Sequence, residues 1–184
     1  PRHVDFAGDE RFVLCTKAEH GACPEMITEE MVRRTGPVGT ILAHFDLDGI
    51  YSAAKWMLGG KEPYPGADDD ARAVDTRIGE VSATASRIDK ALRAHYADEV
   101  LKQQIVNHLL AGAKRHVSAE EIDAAVADYD RMEQTSRELS RGFVVEEGVA
   151  LVQVGSDAGP FDKTELLLMG QTLAPVSVVV EKGN

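Results

Sequence analysis

Two short apolar runs near the N-terminus have the pattern of buried strands. FVLC (12–15) and the β-branched VGTILAHF (38–45) are short and apolar, which is typical of strands in an α/β segment. PEMITEEMVRR (24–34) and IYSAAKWML (50–58) have the spacing of helices. The alternation predicts a short parallel-sheet segment that ends in a strand–loop–helix corner.

The middle of the chain has the periodicity of helices. Residues 59–76 are rich in Gly, Pro and Asp, which predicts a loop. Apolar residues then recur at intervals of three and four, which predicts two helices. Their apolar positions are Val81, Ala85, Ile88, Leu92 and Tyr96 in the first, and Leu101, Ile105 and Leu109 in the second. A third helix is expected to begin at Ser118, because Glu121 completes a capping-box pattern with it.

The last forty residues have the pattern of strands rather than of helices. They contain three strand-like runs, at 142–148, 149–155 and 174–182. The whole pattern predicts an α/β fold with a short parallel-sheet segment, a helical middle and a small β-rich C-terminal part. We expect two units, a larger α/β and helical domain over 1–140 and a small β-rich subdomain over 141–184.

Composition narrows the class of partner. The 184 residues carry 31 Asp and Glu against 20 Lys and Arg, a net charge of −11, which disfavours long nucleic acid because its backbone binds through clustered basic residues. No apolar run is long enough to cross a membrane. Cys15 and Cys23 have neither zinc nor redox spacing, so the sequence predicts an ordinary reduced cytoplasmic protein.

The corner at HFDLDG carries the clearest chemistry. His44, Asp46 and Asp48 lie together at the expected carboxyl end of a strand, where open α/β sheets bind ligands. Two carboxylates and an imidazole suit Mn²⁺ or Mg²⁺ better than zinc. Gly49 would let the backbone turn where a Cβ would crowd the site. The plain alternative is a polar turn after a strand, since Asp and Gly favour turns.

HFDLDGIYSAA (44–54) resembles the first motif of the DHH phosphoesterase superfamily, whose members are manganese-dependent hydrolases of phosphodiester and phosphoanhydride bonds. The resemblance implies that His44, Asp46 and Asp48 are metal ligands. FDLDG also occurs in haloacid-dehalogenase-type phosphatases, where the first Asp is the nucleophile. The interrupting His44 and the SAA that follows favour the DHH interpretation.

Other parts of that family's pattern are missing. The chain has no Asp-His-His triplet and no glycine-rich stretch with a histidine near its end. Further ligand candidates are His20 and Asp75. His20 lies beside Glu19, and a surface histidine is its plainer interpretation. Asp75 would serve as a ligand or as the cap of a following helix. Arg72 and Arg77 are candidates for binding substrate phosphate, or they neutralise nearby aspartates.

Three functional hypotheses follow. The first is a manganese-dependent (or magnesium-dependent) phosphoesterase that hydrolyses a small phosphodiester, short oligonucleotide or nucleotide. The second is a non-catalytic DHH-like relative that binds a nucleotide or a protein partner, as the missing triplet suggests. The third is a helical interaction module with an incidental acidic turn. Association with a second copy is a further hypothesis, because it would cover exposed sheet edges.

Overall fold

The computed structural model describes residues 5–6, 8–114 and 116–182. Its elements between residues 23 and 182 are a short 3₁₀ helix, seven α-helices and three strands. The 3₁₀ helix is Cys23–Met26, and the helices are α1 Glu29–Thr35, α2 Leu47–Met57, α3 Ala67–Thr76, α4 Ala83–Ala94, α5 Glu99–Leu110, α6 Ala119–Ser140 and α7 Lys163–Gln171. The strands are β1 Val144–Glu146, β2 Val149–Val154 and β3 Val176–Glu181.

Short polar side chains fix where several helices begin. Asp46 accepts a hydrogen bond from the Gly49 N–H at the start of α2 (3.1 Å), and Ser82 accepts one from the Ala85 N–H at the start of α4 (3.2 Å). Each such cap contributes about 1 kcal/mol. The capping box expected at Ser118 does not form, because Ser118 has a φ of 49° and its side chain makes no cap hydrogen bond.

The helices enclose one hydrophobic core. α2 packs against α3 and α5, while α4 packs along α6. Their contact is made by fully buried side chains at helical spacing, which include Leu47, Tyr51, Ile88, Ile105, Leu109 and Ile122. The helical middle predicted from periodicity is therefore confirmed, and it places the N-terminus of α2 at the edge of this core.

A second core lies under the C-terminal sheet. The strand order is β1-β2-β3, with β1 antiparallel and β3 parallel to β2, and α7 makes the crossover between the parallel pair. Val152, Val154 and Leu166 form the centre of this core, against Leu139 of α6. All three strands predicted in this region are present, so the mixed α/β class is confirmed. The division into two units at residue 140 stays a prediction.

The two N-terminal strand predictions are wrong. Residues 12–15 and 38–45 belong to no strand, and their apolar side chains are largely exposed, with Leu42 93% accessible. A strand needs a neighbour for its backbone N–H and C=O groups, and the described sheet lies entirely at the C-terminal end of the chain. The sheet edges that motivated a second copy are therefore not formed here.

The loop predicted over 59–76 is helical in its second half. α3 occupies Ala67–Thr76, where Asp68, Asp69 and Asp70 lie in the first turn and are favoured by the helix dipole. Buried alanines at positions 67, 71 and 73 pack this helix onto the core. Among the described residues, no helix combines the length and apolar character needed to span a membrane.

Candidate functional site

The corner predicted to bind metal is the N-terminus of α2. Asp46 caps the helix, and its Oδ2 lies 2.5 Å from Nδ1 of His44. Burial acts to raise the pKa of Asp46, but hydrogen bonds from Asp48, His44 and the Gly49 N–H outweigh it and lower that pKa. Burial, together with the hydrogen bond and charge of Asp46, raises the pKa of Asp48. The two carboxyl groups thus lie close enough to change each other's pKa, and Asp48 holds the proton more readily.

Cys23 lies against the same carboxylates. Its backbone N–H donates to Oδ2 of Asp48 at 3.4 Å. Desolvation of the thiol, and then the acidic side chains of Asp48, Asp46 and Asp75, raise the pKa of Cys23 to about 11. The thiol is therefore protonated at neutral pH, and it is a poor nucleophile and a poor metal ligand there.

The structure brings Asp75 to this corner. Asp75 lies in the last turn of α3, so the alternative that it caps a following helix is wrong. An acid at a helix C-terminus is unfavourable against the dipole, and its ion pair with Lys17 offsets that cost. A small cleft of about 150 Å³ is lined by Asp46, Asp48, Asp75, Asp89 and Arg77 together with Leu47, Ala71 and Val74.

Asp89 of α4 is a site residue that the motif analysis missed. Burial raises the pKa of its carboxyl, although the neighbouring Arg93 acts against that rise. The sequence did hold a signal, because Asp89 follows Ala85 by four positions and therefore shares the buried face of a predicted helix. A carboxylate on the apolar face of a helix is uncommon unless it is paired or functional.

A larger cleft continues from the small one between α3, α4 and α7. Its volume is about 630 Å³, and it shares Asp46, Val74, Arg77 and Asp89 with the small cleft. The remaining lining residues are Ala73, Gly79, Val81, Ser86, Arg93 and Thr164. Arg77, a candidate for binding substrate, thus lies where the two clefts meet.

The other predicted site residues lie elsewhere or have other partners. Arg72 makes ion pairs with Glu25 (2.8 Å) and with Asp69, which corresponds to the neutralising alternative rather than to substrate binding. The backbone N–H of His20 donates to the Thr16 carbonyl at 3.0 Å, and His20 lines neither cleft. The structure therefore joins His44, Asp46, Asp48, Asp75 and Arg77 around one corner, without His20 and Arg72.

The donor set fits only one kind of metal binding. In the described part of the chain, no three His, Cys, Asp or Glu side chains are arranged to hold a metal ion, so a cage made by the protein alone does not fit. Mg²⁺ is commonly held by one or two carboxylates, with phosphate oxygens and waters completing its six positions. The carboxylates of Asp46 and Asp48, which line the same small cleft, fit that second kind of site, in which the cation arrives with a phosphate ligand.

Comparison of the chain with protein-family models, with curated proteins and with solved structures finds no match. The likeness of HFDLDG to the DHH phosphoesterases therefore stays a prediction from those residues.

Proposed function

We propose that this protein is a metal-dependent phosphoesterase that hydrolyses a small phosphate ester at the corner formed by His44, Asp46 and Asp48. The proposal is supported by the small cleft of about 150 Å³. Its lining includes the carboxylates of Asp46, Asp48, Asp75 and Asp89 together with Arg77. Carboxylates from α2, α3 and α4 converge there, although they are up to 43 positions apart in the sequence.

Electrostatics argues for a cation that accompanies the substrate. Asp75 pairs with Lys17, and Asp89 lies 3.5 Å from Arg93, but the carboxylates of Asp46 and Asp48 repel a phosphate group. Mn²⁺ or Mg²⁺ bound through Asp46 and Asp48 would neutralise this charge and lower the pKa of a bound water. Arg77 offers planar N–H donors that match phosphate oxygens. Its place at the junction of the clefts suits it to orient the ester beside the corner.

The dimensions and charge favour a small substrate. The two clefts have volumes of about 150 and 630 Å³, and small-molecule sites usually measure about 300–1,000 Å³. With a net charge of −11, the protein surface repels a long phosphate backbone. A short oligonucleotide, a nucleotide or another small phosphodiester meets both conditions.

A second candidate function is that of a non-catalytic relative that binds a nucleotide or a protein partner. The absence of a three-ligand group among the described residues favours this alternative. In that case the cleft binds a ligand but does not turn it over.

Calorimetric titration with Mn²⁺, alone and with a non-hydrolysable phosphonate analogue of a phosphodiester, tests the proposal. The variant carries both Asp46→Asn and Asp48→Asn. Asn is as good an N-cap as Asp, so α2 keeps its cap while both charges are removed. The matched control is Asp130→Asn, an exposed aspartate on α6 that pairs with Lys90 (2.7 Å).

We expect Mn²⁺ binding that is tighter with the analogue and that the double variant loses, and Mn²⁺-dependent hydrolysis of bis(4-nitrophenyl) phosphate by the wild type. Binding without hydrolysis of any phosphoester would instead support the non-catalytic relative. Equal Mn²⁺ binding by the wild type and the double variant would contradict the metal-dependent phosphoesterase at this corner.

A further inference from the structure

The C-terminal sheet has an outer face whose side chains lie outside both hydrophobic cores of the described residues. The strand register places six apolar side chains on this outer face, namely Val144 of β1, Val149 and Leu151 of β2, and Val176, Val178 and Val180 of β3. α6 and α7 pack instead on the inner face, which presents Val152, Val154 and Val179 to them. The outer face is open to solvent, since Val144 is 56%, Val176 50% and Val180 41% exposed.

The residues of the outer face are not those of a solvated sheet. A sheet with one face in water usually alternates apolar residues inside with polar residues outside. β3 departs from this rule, because all three outer positions of VSVVVE are valine. A contiguous exposed apolar patch, rimmed by polar residues, is typical of an interaction site.

We propose that the outer face is a homodimer interface, on which a second copy of this chain packs with its own outer face. Two sheets that stack in this way lie about 10 Å apart. The inference is independent of the proposed function, because no described strand residue lines either cleft.

Two opposite charges occupy diagonal corners of the outer face. Glu146 of β1 pairs with Val149, at the start of β2. Lys182 follows β3, and its N–H donates to the Val154 carbonyl at the end of β2 (3.0 Å). Lys182 is two residues beyond Val180, so the alternation of the strand places both on the same face. Within the described part of the chain, neither Glu146 nor Lys182 forms an ion pair.

These corners make the outer face complementary to itself. A two-fold axis that lies in the interface, perpendicular to the diagonal, places Glu146 of each copy opposite the partner's Lys182. An axis along the diagonal would instead bring like charges together, which is unfavourable. Charge therefore selects one arrangement of two copies. The net charge of −11 on each chain opposes it only weakly, because salt screens charges more than about 8 Å apart.

The area of the outer face predicts a dimer that dissociates readily. Two strands of six residues and one of three cover about 250 Å² at the usual strand spacing and rise. Side-chain relief and the polar rim increase the area that each copy contributes. Stable interfaces bury about 800 Å² per partner, so we expect a dissociation constant in the micromolar range.

Sedimentation velocity of the full chain, at concentrations up to about 1 mM, tests for this dimer. The main variant is Val176→Lys, which places a charge on the outer face. The matched control is Val145→Lys, because Val145 is 49% exposed and pairs with Ala150 on the inner face. Both substitutions put lysine on an edge strand at nearly equal exposure, so they differ in the face that carries the charge.

A charge-reversal experiment tests the arrangement of the two copies. The variants are Glu146→Lys and Lys182→Glu, measured separately and as an equimolar mixture at low ionic strength. Each variant alone brings like charges together at both corners, whereas the mixture restores two opposite pairs. The residues lie at opposite corners of the sheet, so the free energy of unfolding in urea should be unchanged within about 0.5 kcal/mol.

We expect the wild type to dimerise and Val176→Lys to raise the dissociation constant at least about 10-fold, because the interface would then bury two lysines. Val145→Lys should change it by less than about 3-fold. Glu146→Lys and Lys182→Glu should each weaken the dimer by about 3-fold or more, and their mixture should recover the wild-type affinity.

Three results would overturn the inference. Only monomer at about 1 mM would show that a second copy does not cover the outer face. Equal effects of Val176→Lys and Val145→Lys would place the contact between copies elsewhere. A mixture that associates no more tightly than either charge variant alone would reject the two-fold arrangement. Each of these results leaves the proposed function untouched, since both clefts are formed by other residues.

Discussion

Gly49 packs directly against the backbone carbonyl of His44. A Cβ at position 49 would lie 2.7 Å from the carbonyl carbon of His44 and would overlap its oxygen. The chain entering α2 thus passes so close to the helix that only glycine fits there, as the sequence predicted. This approach holds the His44 backbone over the first turn of α2, next to Asp46.

Gly49→Ala should therefore destabilise the protein. Backbone atoms must move to admit the methyl group, and such overpacking costs about 1–3 kcal/mol. The measurement is the free energy of unfolding in urea. Gly39→Ala is the control, because a Cβ there meets nothing within 4 Å, and it should change stability by less than about 1 kcal/mol. Equal losses in the two variants would show that the contact with His44 is unimportant.

Asp70 should be a major source of stability in the helical core. It is 6% exposed and accepts hydrogen bonds from the Tyr64 hydroxyl (2.8 Å), the Ser82 N–H (2.7 Å) and the Ser82 hydroxyl (2.6 Å). Asp70→Ala leaves these donors unsatisfied, which should cost about 2–4 kcal/mol in urea unfolding.

Asp69→Ala is the natural comparison for Asp70→Ala, since Asp69 is exposed and its side chain pairs with Arg72. Its loss should cost less than about 1 kcal/mol. A similar cost for both substitutions would mean that the buried network contributes little.

Asp162 should hold α7 against α6. It caps α7 through the Glu165 N–H (3.0 Å), and its other oxygen accepts from the Tyr129 hydroxyl (2.9 Å) and from Arg93 (2.6 Å). Asp162→Ala should cost about 2–4 kcal/mol, since it removes a cap and leaves Arg93 partly buried without this partner. Hydrogen exchange should become faster in α7 and β3 before it does in α2.

Tyr129→Phe tests the hydrogen bond from the tyrosine hydroxyl to Asp162 separately from the cap and the ion pair that Asp162 also makes. It removes a single hydrogen bond to Asp162 and keeps the ring beneath Arg93. The expected cost is about 1 kcal/mol. A loss as large as that of Asp162→Ala would show that the hydroxyl, and not the charge pair or the cap, holds the two helices together.

The stability of the protein should fall in mildly acidic solution because of His108. This side chain is 1% exposed, and Nδ1 lies 2.7 Å from the Val117 carbonyl oxygen. Burial lowers the pKa of His108 below the ordinary 6.5. The unfolded state therefore binds a proton below about pH 6.5 while the folded state remains neutral, so stability is full above that pH and declines below it.

Urea unfolding between pH 7.5 and pH 5 measures this effect. His108→Gln should flatten the decline, although it lowers stability at every pH. His116→Gln is the control, because it replaces an exposed histidine outside the buried core. An unchanged slope in His108→Gln would assign the decline to other groups.

The sequence by itself determined the elements that are stabilised by contacts between residues close together in the chain. The periodic positions Ile88, Leu92, Ile105 and Leu109 predicted α4 and α5, because a helix satisfies its backbone within its own residues. The run VALVQV predicted β2 for a related reason, since its neighbours β1 and β3 lie within thirty residues of it in the chain. The close approach at Gly49 was predicted as well, because it involves residues fewer than six positions apart. The cap at Asp46 is equally local, but Asp46 was predicted as a metal ligand or part of a turn and not as a cap.

Only the tertiary structure decided what depends on distant partners. VGTILAHF has the composition of a strand, yet no described strand pairs with it, because composition does not supply a neighbour. Packing likewise decided the surroundings of the corner. It placed Asp75 and Asp89 in the same small cleft as Asp46, with Arg77 beside them. It also paired Arg72 with Glu25, outside that cleft. Side-chain direction follows from how α3 and α4 pack on the core, and a sequence motif does not encode that arrangement.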